Sequence, residues 1–543
     1  MILSPLVRFW KLINPYKKSI RLIYYYAIIS GVVNLSLPLG IQAIINYLQT
    51  GELTTSWIVL VVFVLIGIAT NGKIQINQLR IVEDIQQSIF AKSAFEFAYR
   101  VPKIKQNNLD KVHAPELINR FFDVLTIQKG LPKILIDFSL SAFQIIFGLT
   151  LLTIYSSYFI ILGISLFLIL FLIFKITGPK GLKTSITESK YKYKLAGWLE
   201  EIAGNTKTFK ILNKGNLHLD KTDDINLKYL KNREAHFKIL IKQFMLFIGF
   251  KVWVAAALLV LGGYLVFNQQ MNIGQFVASE IIIILIINSV EKITRIVETI
   301  YDVLTALDKI GFVTDLELDE SSGNGKMISN DDGVSIDLVD VSFKYEEQDN
   351  YVFNNLSVSI KPKAKVWLKG NTGKGKSTLL NILARIQNIE EGNIFINGRP
   401  SDYYNLDSYQ EEIGFISPYS GIFEGTIEEN ILVNREVATE DLDEVLEHLH
   451  LKSYLSNLSN GLKTQVFAKG RKMPKSIVQK IVLARYLVSK PSILLMEDPL
   501  QFIDDDEKKS IIDYVMDEKK SWTVIVVADN LYWADKANQI IKL

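Results

Sequence analysis

The run Gly370-Asn371-Thr372-Gly373-Lys374-Gly375-Lys376-Ser377-Thr378 has the residue types and spacing to hold a phosphate chain. It fits G-x-x-x-x-G-K-[ST], with Gly370, Gly375, Lys376 and Ser377 at the fixed positions. Glycines let backbone N–H groups curl around phosphate oxygens, and the positive end of a following helix adds to the attraction. Lys376 would reach the β/γ-phosphates, and the Ser377 hydroxyl would bind Mg²⁺. The expected ligand is a nucleoside triphosphate with its metal. Such a loop needs a strand before it and a helix after it. Val366, Trp367 and Leu368 read as a short buried strand, and Leu379–Ala384 as the start of a helix.

The rest of the chain must carry that loop somewhere. Its 543 residues leave room for two or more domains, and 49% are hydrophobic, concentrated before Ile300. A formal charge of +3 gives no case for a nucleic-acid partner. The lack of cysteine removes disulfides, thiol catalysis and thiolate metal sites, and five scattered histidines make a histidine metal site a poor expectation. The start, Met1-Ile2-Leu3-Ser4-Pro5, lacks the pattern of a secretory signal. With Phe9, Trp10, Leu12 and Ile13 beside Arg8 and Lys11, it reads as an amphipathic lead-in.

Six apolar segments follow, near Leu22–Tyr47, Trp57–Thr70, Ile134–Tyr155, Tyr158–Ile176, Leu246–Phe267 and Val277–Val290. A spanning helix needs about 20 residues; the second and sixth fall short alone, but their place in the series favours spanning. Gln49–Ser56, Ile154–Phe159 and Phe267–Gln275 contain no Lys or Arg, whereas Lys73–Lys133 and Lys175–Lys242 are rich in both. The positive-inside rule therefore puts the lead-in and the two long segments in the cytoplasm. Within them Ile81–Tyr99 and Lys190–Ile211 have helical periodicity, predicting helices that extend the bundle beyond the bilayer. Asp137, Lys251 and Glu280 lie in or at the edges of spans, where ionisable groups are expensive. Two readings stay open: snorkelling or a structural ion pair, and a polar patch in a translocation path.

Asp315–Gly333 is polar and glycine-rich, predicting a linker (315–333) between a membrane domain (1–314) and a second domain (334–543). Short β-patterned runs at Val341–Tyr345, Val352–Ile360, Val366–Leu368, Asn393–Ile396, Ile413–Ile416, Ile493–Met496 and Val524–Val527 alternate with helical ones. That alternation predicts an α/β domain with a parallel core. More motifs than the phosphate loop now agree. Val341–Tyr345, Gly392–Gly398 ("G-x-I-x-I-N-G"), Gly425–Ile431 ("G-T-I-x-E-N-I") and Ile481–Arg485 occur in order, as do Pro115–Arg120 and Glu200–Phe209 in the membrane half. Over nearly its whole length the chain resembles an ABC exporter half-transporter: a six-span helical membrane domain followed by an α/β P-loop ATPase domain. The resemblance implies ATP and Mg²⁺ as ligands, Tyr345 stacked on adenine, and Glu497 with Ser377 at the metal. It also implies ATP sandwiched between the phosphate loop of one subunit and the signature sequence of another.

Several positions depart from the family's catalytic pattern. Pro418 stands where a metal- and water-sensing Gln is expected, and proline has no side-chain donor or acceptor. The signature "L-S-G-G-Q" is replaced by Met473-Pro474-Lys475-Ser476-Ile477. Pro474 supplies neither hydroxyl nor N–H, and Lys475 puts a side chain where backbone must approach closely. The Asp-Glu pair is Glu497-Asp498, so the general-base position is one methylene shorter; a base must lie within about 3 Å of its water or act through one more. Asp529 replaces the switch histidine, placing a carboxylate where a donor is expected, and Ala468 replaces an acidic residue of Thr464–Gly470. Asp504 keeps the later acidic position.

These departures imply weak hydrolysis by the chain alone. The expected function is an ATP-binding exporter half that dimerises, as a homodimer or more readily a heterodimer, within membrane lipid. The expected location is a bacterial inner or plasma membrane, with the N-terminus and nucleotide-binding domain cytoplasmic. The alternative is a non-transporting ATP-binding regulatory or structural subunit on the same fold.

Overall fold

A computed structural model of the chain describes residues 4–50, 55–111, 114–212, 215–319, 323–327, 333–346 and 348–543. Parts of the expected linker (320–322 and 328–332), of the first outer turn (51–54) and of the lead-in (1–3) lie outside the described residues. The chain divides into two compact units, residues 1–104 with 108–317, and residues 105–107 with 318–543.

The first unit is helical, and six of its helical stretches, 40 to 51 residues long, are apolar enough to cross a membrane. At 1.5 Å per residue these exceed the roughly 30 Å hydrocarbon core about twofold, so each has ample length beyond it. That resolves the two short apolar segments. Trp57–Thr70 lies within the helix Thr55–Arg100, and Val277–Val290 within Ile273–Thr314. Val59 and Phe63 are each 65% exposed, a side-chain arrangement suited to lipid. The first span is not one helix, because Lys17–Asn34 gives way to Ser36–Thr50 at Leu35, just before Pro38. Proline removes an intrahelical donor and crowds the preceding turn, which places it near a helix start. The expected helix Lys190–Ile211 likewise divides: Tyr158–Gly204 ends at Asn205 and Thr206–Ile211 follows.

The structure separates the three intramembrane ionisable residues. Lys251 pairs with Glu291 at 3.0 Å. Asp137 sits exposed in the π-helical turn Lys133–Phe138. One carboxyl oxygen of Glu280 is buried without a hydrogen-bond partner among the described residues. No ion pair among the described residues joins Lys251 to Asp137 or Glu280.

The second unit has two main sheets. The antiparallel one, in order β2-β1-β4-β5, comprises β1 (Ile336–Phe343), β2 (Phe353–Ile360), β4 (Glu391–Ile396) and β5 (Arg399–Pro400). The parallel one, in order β11-β3-β10-β9-β6, comprises β3 (Lys365–Lys369), β6 (Ile413–Ile416), β9 (Ile493–Glu497), β10 (Thr523–Val527) and β11 (Gln539–Lys542). A small pair, β7 (Gly425–Thr426) and β8 (Gln465–Val466), completes the set. The parallel strands are near-continuous apolar runs because both faces are covered; every residue from Ile493 to Met496 and from Thr523 to Val527 is buried. β1 ends at Phe343, so Tyr345 belongs to the loop after the strand rather than to the strand. β11 had no distinct apolar signal, since Gln539-Ile540-Ile541-Lys542 is only four residues long and holds just two adjacent apolar ones.

Candidate nucleotide site

The site forms at the carboxyl ends of the parallel strands, where open α/β sheets generally bind ligands. β3 delivers the chain into Gly370–Gly375, and the helix Lys376–Leu383 begins directly after it. The sequence reading began this helix at Leu379; the structure starts it three residues earlier. Gly373 and Gly375 have φ of +81° and +82°, a left-handed conformation that favours glycine. At Gly375 an added Cβ would also lie 2.4 Å from Val352 Cγ1 and 2.7 Å from Phe353 Cζ. A side chain at Gly375 would therefore collide with the residues that enter β2, while the space beside Gly373 is open.

Lys376 curls back over this loop, its Nζ donating to the Gly370 carbonyl at 2.7 Å and the Asn371 carbonyl at 3.1 Å. The Ser377 hydroxyl donates to Glu497 Oε1 at 2.5 Å. The two residues expected at a metal are therefore in direct contact. Thr378, buried beneath the loop, shares a 2.9 Å hydrogen bond with the Tyr345 hydroxyl, and the Tyr345 ring meets Phe343 edge-on at 5.0 Å. This brings Tyr345 beside the phosphate loop.

Strand pairing adds the acidic residues. β9 and β10 are registered with Glu497 opposite Val527, and the Asp498 N–H donates to the Val527 carbonyl at 2.8 Å. Asp498 itself has a left-handed φ of 41°. Asp529 leaves β10 two residues after Val527 and is exposed. Burial pushes the Asp498 carboxyl above its ordinary pKa, Asp529 and Glu497 push it further, and Lys376 opposes them. On the other side of β9, β6 ends at Ile416, and Pro418 lies in an exposed turn closed by the Ser420 N–H donating to the Ser417 carbonyl at 3.0 Å.

The signature residues are elsewhere in the unit. Pro474 precedes the helix Lys475–Leu487 in extended conformation and provides no side-chain cap. Lys475 places its ammonium 4.5 Å from the Phe502 ring centroid, while Ser476 is half-buried. Among the described residues none of the three hydrogen-bonds the phosphate loop. Sequence reasoning missed the side chain that joins this helix to the acidic strand end. Gln479 donates to the Asp498 carbonyl at 3.3 Å and accepts from the Phe502 N–H at 2.9 Å. Its one signal was a polar residue on a largely apolar helix.

Two family models match: "ABC transporter transmembrane region" over residues 20–290, and "ABC transporter" over residues 353–501. The chain belongs to the ABC transporter family. Its architecture is that of an exporter-type half-transporter, a six-helix membrane domain with one ABC ATPase domain, and the apolar helices make it an integral membrane protein. The Bacillus subtilis ABC transporter ATP-binding protein YwjA, itself uncharacterised, is 25% identical over 98% of this chain and 93% of its own length. A Rickettsia felis protein named among export ATP-binding/permease proteins is 26% identical over 58% of this chain, and the match spans about half (53%) of that relative. In fold, the chain is similar to a bacterial Atm1-family ABC exporter solved with ATP bound, with a TM-score of 0.81, 17% identity, and coverage of 97% and 93% of the two chains.

The ATP-binding domain of this ABC transporter retains groups that fit a nucleotide and its metal. Gly373–Gly375 leaves the space, Lys376 the positive charge, and Ser377 with Glu497 the oxygen donors suited to Mg²⁺. Magnesium supplies charge neutralisation to the phosphate oxygens when bound.

Proposed function

We propose that the chain is one half of an ABC exporter that holds ATP·Mg²⁺ at a dimer interface and couples that state to substrate movement, with little hydrolysis of its own. The observation that carries this reading is a cradle whose loop, lysine and serine–carboxylate pair are in place while its surroundings are altered. Asp498 and Asp529 crowd carboxylates at the strand ends, and Pro418 and Pro474 remove donors. Tyr345, tied to Thr378, supports a role beside the base. Two copies of this chain would repeat the alterations at both interfaces, which favours a heterodimer in which the partner supplies a complete signature. Loop charge supports a cytoplasmic nucleotide-binding domain, and the bacterial relatives support an inner or plasma membrane.

ATP binding and turnover should be measured separately on purified protein in lipid. Binding is expected, Lys376→Ala should weaken it at least tenfold, and turnover should stay far below the common enzyme range of about 1–1,000 per second. Brisk hydrolysis by the chain alone would refute the reading.

A further inference from the structure

The end of the site where a third phosphate would lie carries an excess of negative charge. The loop carries two lysines, exposed Lys374 and Lys376, whose ammonium lies at the Gly370 and Asn371 carbonyls; against them stand three carboxylates, Glu497, Asp498 and Asp529. Glu497 is engaged with Ser377 on the metal side. Beyond it, the register of Glu497 with Val527 and the bond from the Asp498 N–H to the Val527 carbonyl make Asp498 and Asp529 leave neighbouring strand ends side by side. Asp529 is exposed, free of burial that would fix it away from an incoming ligand.

We propose that the open site of this chain selects a nucleoside diphosphate over the triphosphate, with Asp529 setting the preference, and that the triphosphate is retained only when a second chain covers it with donors. The inference rests on the reading of Gly370–Thr378 as a nucleotide site. The amides of the loop serve the phosphates that both nucleotides share, and Lys376 reaches between the second and the third. The extra phosphate alone meets Asp498 and Asp529, and its added charge is repelled at contact distance, where like charges at a protein surface interact strongly enough to shift affinity by about tenfold or more. Retention of ATP thereby becomes conditional on the facing subunit.

The test uses the full-length protein in lipid nanodiscs with Mg²⁺ and a fluorescent nucleotide displaced by ADP or by a non-hydrolysable β,γ-imido triphosphate. The expected Kd for ADP is at least tenfold below that for the triphosphate. Asp529→Asn should reduce this ratio to about threefold or less, and Asp529→His should reduce it at least as far. Equal affinities in the unsubstituted protein, or a ratio that both variants leave intact, would overturn the proposal. If both nucleotides bind and Lys376→Ala weakens both, the site reading survives either result. If neither binds, the site reading itself fails and the preference with it.

Discussion

Single residues in the nucleotide-binding unit behave as their surroundings require rather than as their types suggest. Lys365 is fully buried in β3, its ammonium donating to the Trp522 carbonyl at 2.7 Å and the Lys520 carbonyl at 3.4 Å. Burial pushes its pKa down to about 8, with Asp517 and Glu518 resisting. An exposed lysine titrates near 10.4, so between about 8 and about 10.4 the unfolded chain holds more protons than the folded one. Stability therefore rises with pH across that window, by at most about 1.4 kcal/mol per pH unit from this group. In calorimetry of the full-length protein, Lys365→Met should flatten that rise; an unchanged pH profile would show that the lysine is not buried with its charge. Gly375 poses a steric question instead. Gly375→Ala combines a φ of +82° with a clash against Val352 and Phe353, at a cost of about 1–3 kcal/mol. It should weaken nucleotide binding at least tenfold in a titration, and retained affinity would mean that the loop relaxes freely.

At the scale of elements, the helix Lys475–Leu487 matters because it physically joins the signature to the acidic strand end. Gln479 makes that link through the Asp498 carbonyl and the Phe502 N–H. Farther along, Arg485 donates to the Asn430 carbonyl at 2.7 Å and the Gly421 carbonyl at 3.1 Å, fastening the helix to the segment before and within Ile427–Leu432. Gln479→Ala should destabilise the unit by about 0.5–1.5 kcal/mol, because it removes a part-buried hydrogen bond to the Asp498 carbonyl and an exposed one from the Phe502 N–H. Hydrogen exchange at Phe502 should rise with it; an unprotected Phe502 amide in the parent would remove the basis for this link. The phosphate loop was legible in the sequence because its chemistry is contained in consecutive residues. Gln479 was not, because its two partners lie in another segment and become neighbours only when the helix packs against the parallel sheet at β6.

For the molecule as a whole, each unit has its own fastening. In the membrane unit, Arg8 makes a two-point contact with Asp315, at 3.0 and 2.6 Å, pinning the lead-in helix Pro5–Ile13 to the residue just past the last long helix. Bidentate pairs of this kind are worth more than ordinary surface pairs, so Arg8→Ala should cost about 1–3 kcal/mol. Limited proteolysis should then cut faster just after Asp315, and an unchanged rate would leave the pair without mechanical consequence. Within the span region, the Lys251–Glu291 pair favours the structural reading of Lys251 over a role in substrate passage. Lys251→Met should therefore lower stability in lipid and leave the pattern of transported substrates unchanged; an altered pattern with intact stability would restore the translocation reading. The six spans were readable because hydrocarbon demands long apolar helices. Their cytoplasmic continuations were readable too, from the helical periodicity of Ile81–Tyr99 and Lys190–Ile211, whereas the break at Asn205 was not.

The sequence by itself determined the family, the helical membrane half, the α/β half and the phosphate loop, since each rests on local pattern: apolar length, alternation, or a fixed motif. The altered positions Pro418, Pro474, Asp498 and Asp529 were also visible there as residue types. Tertiary structure alone decided what those types do to one another. Pairing of β9 with β10 brings Asp498 beside Asp529, and packing of β9 against the phosphate-loop helix gives Glu497 to Ser377. The physical reason is range. A loop's conformation follows from its own glycines, but the charge felt by a third phosphate is the sum over strand ends more than a hundred residues away in the chain.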